Sequence, residues 1–148
     1  AVEDIDVIYI PHQPVLNDIE VNFVKNFAGL VVQDMRAGTY SPDGVKVDDF
    51  QSAVFCVDSI SYANGNFKGT TSDGRQIRIE RDERFEATHA VLTAKPGCEV
   101  LMPSANSPRS GLFVRSGNRI TIGAIPPLLG HKELMKATLG LIWDLVRR

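Results

Sequence analysis

The chain has 148 residues, 43% of them hydrophobic and 23% charged, and sixteen basic against eighteen acidic side chains leave a formal charge of -2. That is enough sequence for one buried core and too little for two ordinary domains. The balance excludes a protein that grips nucleic acid through a cationic surplus, and no apolar run reaches the ~18 residues of a spanning helix.

Asp4 to Ile10 is strand-like but runs into Pro11 and Pro14, which predicts an N-terminal extension, residues 1–13, either mobile or laid against the body of a domain over 14–148. The extension is acidic where a signal peptide would be basic. Leu16, Ile19, Phe23 and Phe27 then recur at steps of three and four, the pattern of an amphipathic helix that Ala28-Gly29 ends. Leu30-Val31-Val32 opens a buried strand, and Pro42-Asp43-Gly44 is a turn. A short helix follows, capped by Asp48 or Asp49 and carrying Phe50, Val54 and Phe55. Strands over Ile60 to Tyr62, Asn66 to Lys68 and Gln76 to Arg81 are separated by Asn64-Gly65 and Ser72-Asp73-Gly74, the dipeptides tight hairpins favour. His89 to Thr93 and Glu99 to Met102 flank Lys95-Pro96-Gly97, and Ser104 to Ser110 reads as a polar loop. Gly111 to Arg115 and Arg119 to Ile125 form a hairpin about Ser116-Gly117-Asn118, ended by Pro126-Pro127.

The last element is a helix. Positions 134/135, 138/139, 141/142 and 145/146 place seven apolar side chains and Thr138 on a face expected to dock on a sheet, with Arg147-Arg148 at the negative helix end. The order predicts an α+β fold: a single antiparallel sheet with N- and C-terminal helices packed on one face and the short helix on the other. The short hairpin loops argue against a doubly wound parallel sheet.

Little in the chain points to catalysis. Gly65, Gly69 and Gly74 are spaced as turns and do not form a phosphate loop. His12, His89 and His131 lack metal-ligand spacing, so neither metal nor cofactor is expected. Cys56 and Cys98 are too few for a disulfide framework and read as buried thiols of a reducing compartment. A Cys98–His89 nucleophile and base would lack an orienting partner. The adjacent acids Asp48-Asp49 and Asp82-Glu83 point in different directions. The expectation is a protein that is not an enzyme.

Two features point to binding. Trp143 falls outside the apolar stripe of the last helix, beside Lys132, Lys136, Gly140 and Arg147, where it either covers the sheet edge or the first helix, or joins a shallow docking surface. Arg75, Arg78 and Arg81 on one hairpin, Arg115 and Arg119 on another, and Lys132 and Lys136 would build a basic patch if the hairpins are neighbours. Such a patch suits an acidic protein or anionic lipid headgroups.

SGLFVRSGNRITIGAI followed by GHKELMKATLGLIWDLVRR resembles the ending of profilins. NGNFKGTTSDGRQIRIERDE, AGLVVQDMRAGTYSPDG and VKVDDFQSAV resemble, in turn, a profilin glycine-rich turn and strand, the first strand and its turn, and the short helix. The likeness runs from Leu16 to Arg148 and is that of a divergent member, similar to those of Asgard archaea. It departs in the N-terminal segment, in a longer stretch between Asp82 and Gly111, and in lacking a tryptophan near the first helix. The resemblance implies a cytoplasmic, cytoskeletal, monomeric protein that binds monomeric actin, regulates filament assembly and responds to phosphoinositides. It implies an actin surface of Arg78, Arg81, Arg115, Asn118, His131, Lys132 and Lys136. It also implies a site for proline-rich peptides at Phe23, Tyr40 and Trp143, sparse in aromatics for that mode. The alternative is a scaffold or sensory module of the longin or roadblock type, acting through dimerisation or a small GTPase.

Overall fold

The computed structural model describes residues 6–11, 13–34, 37–47, 49–70, 74, 76–104, 107–124 and 132–146. In chain order these form β1 (Val7–Ile10), α1 (Asp18–Asn26), β2 (Leu30–Asp34), α2 (Asp49–Phe55), β3 (Val57–Ala63), β4 (Phe67–Thr70), β5 (Gln76–Ile79), β6 (His89–Ala94), β7 (Glu99–Ser104), β8 (Ser107–Ser116), β9 (Arg119–Ile122) and α3 (Lys132–Val146). Seven strands make one sheet in the order β1-β2-β9-β8-β6-β3, with β7 also on β8, while β4 and β5 form a separate two-stranded sheet.

This corrects the expected single antiparallel sheet. β1 pairs with β2, and β2 with β9, in parallel register; the other pairings are antiparallel. Gly111 faces both Pro103 and Leu92, and Phe113 faces both Leu101 and Ile122, so β7 takes one edge of β8 while β6 and β9 share the other. At that shared edge Ala90 N–H donates to the Gly123 carbonyl at 2.6 Å, and a side chain at Gly123 would strike the Ala90 carbonyl. Glycine is what lets the backbones meet. The stretch from Ser107, expected as loop, is the start of the ten-residue β8.

Of the two arrangements expected of the N-terminal segment, the strand Val7–Ile10 takes the one laid against the body. Val7 to Ile10 align with Leu30 to Gln33, and Ile10 is buried in the core. Pro11 follows this edge strand and removes no bond within it. Burial first, and the charge of Asp34 second, push the Tyr9 phenol above its ordinary pKa.

The two faces of the sheet carry different partners. On one, Val24 and Phe27 of the α1 segment and Phe50 and Phe55 of α2 pack with Val31, Leu92 and Val114. On the other, Leu134 and Ala137 of α3 and Phe67, Ile77 and Ile79 of the β4–β5 hairpin pack with Leu30, Val32, Ile120 and Ile122. The terminal helices therefore lie on opposite faces, and it is the short helix that joins the first one. Alternation along β2 sends Val31 to the first side and Leu30 and Val32 to the second, and along β9 it puts Ile120 and Ile122 on the second.

The helices are where periodicity places them, but turned. Asn17 and Glu20 close a capping box on α1, at 2.9 and 2.8 Å. Its buried side is Val24 with Leu16 and Phe27 beside it, leaving Ile19 and Phe23 exposed. In α3, Leu134, Ala137 and Thr138 are buried, and the Thr138 hydroxyl donates to the Leu134 carbonyl at 2.9 Å. Met135, Leu139 and Val146 face solvent with Trp143. Residues 134 and 135 stand about 100° apart, so one contact face cannot take both.

Cys56 and Cys98 are joined as a disulfide, Cα to Cα 6.4 Å, which corrects the reading of two free thiols and removes Cys98 as a nucleophile. The bridge ties the α2–β3 junction to the turn between β6 and β7. Lys95 N–H adds a bond to the Cys56 carbonyl at 2.9 Å, and Lys95 Nζ donates to the Ser52 carbonyl at 3.4 Å. His89 is buried, and that burial holds its imidazole below its ordinary pKa. Among the described residues no helix is long and apolar enough to cross a membrane.

Candidate functional site: a groove between α2 and the end strand β3

A groove of about 620 Å³ opens where the sheet ends. One wall is β3, contributing Val57, Asp58, Ser59, Ile60 and Tyr62; the other is Gln51 and Ser52 of α2 with Thr39, Tyr40, Lys46 and Val47 before it. β3 is the last strand in the sheet order, so one of its edges carries no partner strand among the described residues. Such an edge is a template for a further strand.

Each wall is held by local chemistry. The turn expected at Pro42-Asp43-Gly44 forms, with Gly44 N–H donating to Ser41 at 2.9 Å and Gly44 at φ +80°. Tyr40 is fixed by its N–H to the Pro14 carbonyl, 2.9 Å, and Val47 by its N–H to the Thr39 carbonyl, 2.8 Å. Below the groove lies a buried amide network. Gln33 Nε2 donates to Gln51 Oε1 at 2.7 Å and to Thr121 Oγ1 at 2.9 Å, and Gln51 Nε2 donates to Gln33 Oε1 at 3.0 Å and to the Ala37 carbonyl. These bonds lock α2 onto β2 and β9. On the opposite side, the disulfide anchors the junction between α2 and β3.

The lining mixes two half-exposed tyrosines, Tyr40 and Tyr62, with hydroxyls and one charge of each sign, Lys46 and Asp58. Those groups can stack against flat or apolar segments and hydrogen-bond a polar backbone. Among the described residues no three His, Cys, Asp or Glu side chains converge to hold a metal ion.

The residues singled out from sequence are dispersed. Arg78 lies on β5, Arg81 follows that strand and pairs with Glu83 at 3.6 Å, and Arg115 on β8 pairs with Glu99 at 3.5 Å. Asn118 donates to the Ala28 carbonyl at 2.8 Å and lines, with Arg115 and Val146, a recess of about 330 Å³ at another end of the sheet. Lys132 and Lys136 lie on α3, Lys136 with Glu133 at 3.3 Å. His131 lies outside the described residues, as do His12, Asp48 and Arg75. In the connection between β5 and β6, Arg84 binds Asp82 and holds its carboxyl down at about 2. The anticipated basic patch is thus laced with carboxylates. Of the aromatic set, Phe23 lies on α1 and Trp143 on α3, across the sheet from each other, and only Tyr40 lines the groove. Tyr62, Asp58, Ser59 and Ser52 were missed. The available signal was the run Val57–Ala63, whose exposed positions 58, 59, 61 and 62 break strict alternation, as a strand with one open edge does.

No protein-family model and no curated protein matches the sequence. Solved structures do match in shape. The chain is similar to part of a beta-galactosidase from the psychrophilic Marinomonas ef1, with TM-score 0.67 and 11% identity over 95% of this chain and 20% of that one. A GH42 beta-galactosidase gives TM-score 0.61 at 11% identity, over 91% of this chain and 22% of that one. A catalytic mutant of that enzyme, from G. stearothermophilus, gives 0.59 at 11% identity, over 88% of this chain and 21% of that one. The chain spans about a fifth of the length of these enzymes, and at such identity the likeness is one of fold.

Proposed function

We propose that this chain is a binding module that takes an extended peptide segment into the groove between α2 and β3, adding it as one more strand to the sheet. The observation that carries the reading is the end strand β3, one edge of it unpaired among the described residues, forming one wall of a groove whose other wall is Gln51 and Ser52 of α2 with Thr39, Tyr40, Lys46 and Val47 before it. In this mode the edge backbone supplies affinity and alternate side chains find pockets. Tyr40 and Tyr62 would select bulky or flat side chains, and Lys46 and Asp58 would set polarity along the segment.

Actin-monomer binding, with phosphoinositides and proline-rich peptides as further ligands and a cytoskeletal setting, has the sequence motifs as its support. The groove reading has a formed surface, which is why it is preferred.

Selection from a displayed library of random linear peptides, followed by titration into labelled protein, tests it. Selected peptides should shift and protect the amides of β3, and Ser52→Trp, which fills the groove from the helix side, should abolish binding. Peptides that bind without touching β3 amides, or a selection that yields none, would sink the proposal.

A further inference from the structure

A single residue, Cys56, joins the end of α2 at Phe55 to the start of β3 at Val57, so the turn from helix to strand is made there alone. It is made at φ +64°, in the left-handed region that a side chain disfavours. Such a backbone persists where its surroundings hold it. Two things hold this one: the bond from Lys95 N–H to the Cys56 carbonyl at 2.9 Å, and the sulfur link to Cys98.

That link is within reach of solvent. Cys56 and Cys98 are both partly exposed, whereas Phe55 and Val57 on either side of Cys56 are buried, and Pro96 and Gly97 in the turn before Cys98 are exposed. A disulfide that a thiolate can approach in the folded chain is open to exchange, and one sealed in a core is not. Opening it leaves the seat of α2 in place. Phe50 and Phe55 stay in the core, and Gln51 keeps its bonds to Gln33 and to the Ala37 carbonyl. What opening releases is the junction itself. Ser52 on one wall of the groove and Val57 on the other lie four residues before Cys56 and one after it.

We propose that the Cys56–Cys98 bond is a reversible redox switch on the groove, made and broken in the folded chain. Bonded, it fixes the two walls for a peptide; reduced, it frees Cys56 to leave the left-handed region, and the walls lose their spacing. The switch rests on the groove reading for its ligand and on the junction alone for its mechanism. A dithiol reductant acts in two steps. One of its thiolates attacks a sulfur of the bridge, the S–S bond breaks, and the other cysteine leaves as a thiolate that takes up a proton. The second thiol, as its thiolate, then attacks the mixed disulfide, which closes the reductant into a cyclic disulfide and releases the remaining cysteine. Two electrons and two protons pass to the chain, and a disulfide oxidant such as oxidised glutathione returns them.

Three measurements on the whole chain test this. With dithiothreitol as reductant and iodoacetamide trapping new thiols for mass analysis, reduction should proceed without denaturant and at a rate that stays flat over low urea, because only a local opening is needed. In the reduced chain, amide chemical shifts should move from Ser52 to Ser59 and hold in β2 and β9. A peptide selected on the oxidised chain should lose at least about tenfold in affinity on reduction and regain it on reoxidation. Cys98→Ser should reproduce the reduced shifts without a reductant, and the reduced natural chain carries the comparison where that variant does not fold. A reduction rate that climbs with urea as global unfolding does would overturn the proposal. So would unmoved shifts at the junction, shifts spread evenly through β2 and β9, or equal peptide affinity in the two states. Failure to select any peptide sinks the groove reading alone, because the reduction rate and the junction shifts are read without ligand.

Discussion

Arg119 shows how far a single side chain departs from its sequence context. It sits in a hairpin rich in arginine, where a solvated or ligand-binding cation is the simple expectation, yet it is only 7% exposed. Its Nη2 donates to the carbonyls of Val24 and Phe27 at 2.8 and 2.6 Å, and its Nη1 to that of Gly29 at 3.0 Å. These carbonyls close the carboxyl end of α1, where the last turn lacks partners and the helix dipole is negative. Burial lowers the guanidinium's pKa, but a group that starts so high stays charged. Arg119→Met strands several carbonyls at once and is expected to cost about 2–4 kcal/mol in urea unfolding. Arg119→Lys, with no planar fork, should recover only part of that. A loss below about 1 kcal/mol for Arg119→Met would mean that water replaces the bonds and the cap is ornamental.

Among the elements, β1 carries the sharpest consequence. It pairs along its whole length with β2 and buries Ile10 against the α1 face. Removing residues 1–13 would uncover the edge of β2, a strand buried at every position. The thermal midpoint is expected to fall by about 10 °C or more, on the scale of a few kcal/mol in a domain this size. Ile10→Ala alone should cost about 2 kcal/mol, which keeps the test informative where the deletion fails to fold. An unchanged midpoint for both would return β1 to the status of a loosely attached segment. α3 teaches a different lesson. Its periodicity is helical on any reading, but only contact with the sheet decides which third of its circumference is core.

The whole molecule is a sheet with two unlike layers, and the disulfide crosses none of them. It staples α2 and β3 to the β6–β7 turn within one face, 42 residues apart in sequence. Closing a loop of that length in the unfolded chain is worth about 4 kcal/mol in the chain-entropy account. Cys56→Ser with Cys98→Ser, or reduction by a dithiol, should lower unfolding stability by an amount of that order. The effect on the groove should be larger than on α3, since Ser52 and Val57 line the groove on either side of Cys56. Peptide binding to β3 should therefore weaken on reduction while the α3 stripe keeps its Trp143 emission. Equal stability with and without the bridge would show that the two sulfurs contribute only packing.

What the amino-acid order determined by itself is local. α1, α2 and α3, the buried strand β2, the β4–β5 and β8–β9 hairpins and the turn at Gly44 were all legible, because period, capping and turn chemistry act between residues a few positions apart. Of the groove, Tyr40 was legible as an available aromatic, though for a different site. The rest was decided in three dimensions. β1 and β9 join β2 in parallel, and a parallel pair has no connecting turn to announce it. The bonding of Cys56 to Cys98, the burial of Arg119 and the placing of α1 and α3 on opposite faces each depend on residues brought together from distant parts of the chain. A groove is a space between elements, so its lining exists only once β3 has become the end of the sheet and α2 has packed beside it.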